Sequence, residues 1–131
     1  KYEQMVEEYG LSGMVKMENK FIKDEDVATY FSACDLVVLP YKSATQSGVT
    51  QIAFHFSKPM LVTKVGGLPE IVSEGRSGYV CEPNAESIAD CLVDFCSNHR
   101  NFDQTLQQEK QRFAWDKMTA AIRELYNKLK N

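Results

Sequence analysis

The stretch that decides the fold is "DLVVLPYKSATQSGVTQIAFHFSKPMLVT", residues 35–63. It holds two short apolar runs, 36–39 and 59–63, separated by a segment with helical spacing. Leu36, Val37, Val38 and Leu39 follow one another without alternation, the pattern of a strand covered on both faces. Val49, Ile52, Ala53 and Phe56 fall on one side of a helix over 48–57, and Pro59 ends it. A strand, a helix and a second strand in this order form the repeating unit of a parallel sheet.

Working outward, the same alternation continues. On the amino-terminal side, Tyr2, Met5, Val6 and Tyr9 share a helical face that closes at Gly10. Residues 15–22 alternate loosely and predict a strand. Asp24 is the expected N-cap of a helix that carries Val27, Tyr30 and Phe31 and ends near Cys34. On the carboxyl-terminal side, Gly66 and Gly67 mark a tight turn, and Pro69 suits the first turn of a short helix. Gly75 and Gly78 punctuate a loop, and 79–81 is a short edge strand. Asn84 caps a helix with Ile88, Leu92 and Phe95 inward. A polar surface helix over 101–112 follows, then a clearer amphipathic one over 114–130 with Met118, Ala121, Ile122, Leu125, Tyr126 and Leu129 on one stripe. The reading is one α/β domain over 1–131: three-layer and Rossmann-like, with a mostly parallel sheet truncated at its amino-terminal strand, and closing with helices. The first helix has no strand before it and the chain begins at Lys1, so a piece of a longer polypeptide is expected.

Composition narrows the function classes. The chain has 131 residues, 44% apolar and 25% charged, as a soluble globular domain does. No apolar run nears the ~18 residues of a membrane span, and a cytoplasmic setting is expected. The net charge of −3 argues against a general nucleic-acid binder. The four cysteines, Cys34, Cys81, Cys91 and Cys96, form no CxxC pair and read as reduced core thiols. His55 and His99 lack ligand spacing, so no metal site is expected.

The polar cluster between the two runs then asks for an explanation. In a parallel sheet, the junctions 40–48 and 63–69 open at the same edge, where ligands of such sheets bind. The N–H groups of Ser47, Gly48, Val49 and Thr50 would be the free donors of a helix start, and Ser47 and Thr50 would add hydroxyls. Gly48 lets a ligand approach the backbone, which makes the junction suited to a phosphate or diphosphate. The alternative is that Ser47 is only an N-cap and Gly48 only a tight helix entry. Neither GxGxxG nor GxxxxGK[ST] occurs.

Together, the succession "FIKDEDVATYFSACDLVVLPYKSATQSGVTQIAFHFSKPMLVTKVGGLPEIVSEGRSGYVCEP", residues 21–83, resembles the carboxyl-terminal domain of family 4 (group 1) glycosyltransferases. The shared pattern is an apolar strand ending in Pro40, a small-residue helix start at Ser47 and Gly48, Lys58-Pro59, a strand ending in Thr63, then GGxPE at 66–70, a GxxG loop at 75–78, and Pro83. The closing "FAWDKMTAAIRELYNKL" is similar to the family's Trp-containing helix. The resemblance implies a GT-B enzyme whose two Rossmann-like domains face a cleft. The carboxyl-terminal one binds a nucleotide-diphospho-sugar and the amino-terminal one the acceptor. Transfer would retain the anomeric configuration without a metal or other cofactor, in polysaccharide or glycolipid synthesis, and a peripheral membrane association of the full enzyme is compatible with that setting. The donor half alone would bind a nucleoside diphosphate weakly and transfer nothing.

By position, Ser47, Gly48, Val49, Thr50 and Gln51 would face the donor diphosphate and sugar, with Gly66, Gly67 and Glu70 beside them. Phe21, Ile22 and Lys23, within the loop 19–23, would lie on the nucleobase side with Pro40 and Tyr41. Glu70 reads equally as a first-turn carboxylate favoured by the helix dipole. One departure stands out. The family's E-x7-E pair falls at Ala44 and Ile52, and no Glu lies between Asp35 and Glu70. Gln51 or Thr50 could replace one member, and Gln46 or Thr45 the other. Two further readings stay open: the nucleotide-binding domain of a GT-B epimerase, and a non-catalytic α/β interaction module.

Overall fold

The computed structural model describes residues 1–98 and 100–130. Its elements run α1 (Tyr2–Glu8), α2 (Asp24–Ala33), β1 (Val37–Leu39), α3 (Gly48–His55), β2 (Met60–Thr63), α4 (Leu68–Ile71), β3 (Gly78–Cys81), α5 (Ala85–Asn98), α6 (Asp103–Arg112) and α7 (Trp115–Lys130). The sheet has the order β1-β2-β3 and both pairings are parallel, with Val38 opposite Leu61 and Leu61 opposite Tyr79. Helix α3 carries the chain from β1 to β2, and α4 lies between β2 and β3. The α/β class and the parallel sheet thus match the expectation from sequence.

The core gathers on β2. Met60, Leu61, Val62 and Thr63 are all fully buried, and α4 and α5 pack against this strand. Each apolar side chain removed from water here contributes about 1.5–3 kcal/mol, so β2 outweighs any polar contact at the surface. The run covered on both faces is therefore β2. Val37 and Val38 of β1 are only half-buried, and Leu39 alone of that strand is buried.

Local chemistry explains the ends of α3. Ser57 takes a left-handed φ of 52°, the Ser57 N–H donates to Phe54 O at 3.0 Å, and the Lys58 N–H donates to Ala53 O at 2.9 Å. These two bonds are the reversal that commonly closes a helix, with Ser in the place usually taken by Gly. Asn84 caps α5 as expected, its Oδ1 accepting from the Ser87 N–H at 2.9 Å.

Several expectations are corrected. Residues 15–22 form no strand; no ladder joins them to the sheet, and Lys16 and Lys20 pair with Glu18 at 2.6 and 3.3 Å. A lone extended segment without a partner leaves its backbone groups to water and gains little from the extended state. Asp24 is the first residue of α2 and not its cap; Lys23 sits at the cap position without a side-chain cap bond. Gly78 opens β3 instead of punctuating a loop, and a Cβ there would lie 1.7 Å from Met60 O, so only glycine fits. Among the cysteines, Cys81 is buried, and burial pushes its thiol up to about 11. Cys34 and Cys91 are half-buried and Cys96 is exposed, so the four are not all core thiols. His99 lies outside the described residues. Among those described, no helix is long and apolar enough to cross a membrane, and no cluster of three or more His, Cys, Asp or Glu is arranged to hold a metal ion.

Candidate functional site

The two strand-to-helix junctions meet at the carboxyl ends of β1 and β2, and they are tied to each other. The buried Thr63, last in β2, donates its hydroxyl to Tyr41 O at 2.5 Å. The Gly67 N–H donates to Thr45 O at 2.8 Å. Gly66 adopts φ 52°, and a Cβ there would sit 1.8 Å from Ala44 O. The glycine pair is therefore a turn, as the sequence suggests, and also the point where one junction is pressed against the other.

At the start of α3, the structure separates backbone from side chains. Ser47 occupies the cap position in an extended conformation, but its side chain makes no cap bond. Its Oγ lies 3.3 Å from Tyr41 Oη instead. Ser47 is therefore the N-cap by position and backbone conformation, without the side-chain bond of a capping serine. Among the described residues, no acceptor takes the N–H of Gly48 or of Val49. Gly48 is exposed, and a Cβ there would meet nothing within 4 Å, so no side chain covers the backbone at this residue. An anion there would gain charge-assisted bonds of about 1.5–3 kcal/mol each. The dipole would add about 0.3–1 kcal/mol, so the N–H groups dominate.

Thr50 differs from the expectation, while Val49 offers only its N–H. Val49 packs its side chain against the core, and Thr50 is fully buried. The Thr50 hydroxyl donates to Ser47 O at 2.6 Å and its N–H to the same oxygen at 3.3 Å. Thr50 is thus not an outward hydroxyl donor and not a free N–H; it stiffens the entry to α3. Gln51 is exposed, yet it lines a cavity of about 530 Å³ with Arg112, Phe113, Trp115 and Met118. Glu70 is exposed in α4.

On the expected nucleobase side, Phe21 is 87% exposed, and Ile22 is half-buried. Phe21 and Lys23 line a shallow depression with Asp24 and Glu25. Pro40 and Tyr41 belong instead to the β1 junction and do not line that depression. Hydrogen bonds and close approaches tie Tyr41, Ser47, Gly66 and Gly67 into one pair of junctions, while Phe21 and Lys23 line their own depression. Of the nearby cations, Lys64 lies 3.6 Å from Glu82, and both are exposed. Such a pair is screened and weak, which leaves the backbone donors as the main anion-directed feature.

Sequence reasoning overlooked the clamping role of Thr63, and it read helix α6 as a surface helix without the contacts that it makes. From α6, Lys110 Nζ donates to His55 O at 2.6 Å and Arg112 Nη2 donates to Glu70 O at 2.7 Å. These side chains bind main-chain carbonyls, which carry no residue signature.

A parallel sheet with paired junctions at its carboxyl edge defines a Rossmann-like domain, and its likeness to solved structures places it with the GT-B enzymes. The chain superposes on sucrose-phosphate synthase from Thermosynechococcus elongatus with a TM-score of 0.82 and 25% identity, covering 98% of this chain and 33% of that one. It superposes on HepE of Anabaena, solved in complex with UDP, with a TM-score of 0.76 and 25% identity, covering 97% and 36%. The profile of the family described as "Glycosyl transferases group 1" matches residues 1–98, and the chain belongs to that family. A D-inositol 3-phosphate glycosyltransferase of Corynebacterium urealyticum is 28% identical over 137 aligned residues, covering 97% of this chain and 31% of the relative. The chain thus spans about a third of the length of these relatives.

Proposed function

We propose that this chain is the donor-binding domain of a glycosyltransferase that moves a sugar from a nucleotide-diphospho-sugar to an acceptor. The observation that carries this reading is the pair of N–H groups on Gly48 and Val49, which find no acceptor among the described residues, at an exposed helix start whose junction is tied to the Gly66-Gly67 turn. Developing negative charge on a departing nucleoside diphosphate is what such a preorganised pair would stabilise. UDP in the complex of the similar HepE supports a uridine nucleotide as the first ligand to try. Transfer with retention, in polysaccharide or glycolipid synthesis, is the setting we assign to the whole enzyme. A second domain would bind the acceptor, so this chain by itself binds donor without transferring sugar. Binding is weak, because the donors are two backbone groups and no buried cation among the described residues backs them.

Titration of the 131-residue chain with UDP, GDP and ADP, followed by NMR, tests the reading. The amides of Gly48 and Val49 should shift with at least one nucleotide in the millimolar range. If none moves them, the donor-site assignment fails. Gly48→Val should weaken the binding while leaving the fold intact, because a side chain there meets no protein atom.

A further inference from the structure

We infer that helix α6 braces the two helices whose entries form the candidate site, and that Arg112 is a positioning residue for the 66–70 turn. The inference rests on the donor-site reading for its meaning, but its geometry stands separately. Helix α4 has only four residues, too few to hold itself, and its terminal carbonyls need outside partners. One partner is Arg112, whose Nη2 donates to Glu70 O at 2.7 Å.

Arg112 is itself fixed on two more sides. Its Nη1 donates to Glu109 Oε2 at 3.0 Å, and its guanidinium stands over the Phe113 ring, 4.8 Å from the centroid. Glu109 is buried, and its other oxygen lies 3.5 Å from Arg76 Nη2. A buried carboxylate held between two guanidinium groups has little freedom to turn, so it sets the Arg112 fork. Lysine could not do the same, because a single ammonium does not present the fork that reaches a carboxylate and a carbonyl at once. Two residues earlier, Lys110 Nζ donates to His55 O at 2.6 Å, at the far end of α3. One helix thus grips the carboxyl ends of both α3 and α4, while their amino-terminal entries are joined through Gly67 and Thr45. Loosening Arg112 should release α4, then the Gly67–Thr45 bond, and so disturb the ground in front of Gly48.

Amide hydrogen exchange and UDP titration of wild type, Arg112→Gln, Arg112→Lys and Glu109→Gln decide the point. In Arg112→Gln, exchange at Gly67 and Val72 should quicken about tenfold while Val62 and Leu92 stay unchanged, a local opening and not global unfolding. UDP affinity should fall about fivefold or more in step. Arg112→Lys should restore neither, and Glu109→Gln should give the same pattern more weakly, which covers the case in which Arg112→Gln does not fold. Unchanged exchange at Gly67 in both Arg112→Gln and Glu109→Gln overturns the brace. Faster exchange with unaltered UDP affinity overturns the positioning role. If wild type binds no nucleotide, the donor-site reading falls, and exchange at Gly67 alone still decides whether Arg112 holds the turn.

Discussion

Helices α6 and α7 are neighbours in sequence, and their fates are opposite. The pattern of α7 is the stronger one, with an apolar stripe from Met118 to Leu129, yet none of its residues is buried and Leu129 is 79% exposed. The pattern of α6 is mostly polar, yet it buries Leu106 and Glu109 and ties down α3 and α4. An apolar stripe tells which side of a helix seeks cover, not whether the described residues supply it. One buried leucine and a few long polar side chains have anchored α6 more firmly than the whole stripe anchors α7.

Mutations can break or sharpen this contrast. The largest effect belongs to Leu106, which is 1% exposed beside Phe102 in the core. Leu106→Ala should lower stability by about 2–5 kcal/mol, seen as a shifted urea midpoint. A loss below ~1 kcal/mol would mean that α6 is not part of the core. Lys110→Ala should cost less, about 0.5–1 kcal/mol, by uncapping His55 O. Faster exchange confined to the last turn of α3 would identify that loss, whereas an unchanged α3 would show the bond to be idle. Leu125→Ala should change stability by no more than ~0.5 kcal/mol, because Leu125 is 59% exposed. A loss comparable to that of Leu106→Ala would show that α7 packs after all.

The same contrast explains what the sequence made visible. The strands ending at Leu39 and Thr63 were legible because uninterrupted apolar runs bounded by Pro and polar residues have few other solutions. The cap at Asn84 was legible because its side chain does the work. Residues 15–22 misled because alternation describes a face, and a strand also needs a neighbour's backbone. At the site, Gly48 and the Gly66-Gly67 turn could be picked out by residue type. The inward side chain of Thr50 could not, because the same hydroxyl serves a ligand or a carbonyl one turn back. The grip of Arg112 and Lys110 was hidden for a related reason: their acceptors are carbonyls that every residue possesses.

The contact of Gly66 with Ala44 also bears on how the chain can vary. Surface loops ordinarily absorb extra residues at little cost. Here the oxygen of Ala44 occupies the place where a side chain on residue 66 would stand, and Thr45 accepts from the very next amide. Lengthening 42–46 by one residue would withdraw both at once unless 64–67 changed with it. The two segments should therefore gain and lose residues together, as a matched pair of lengths.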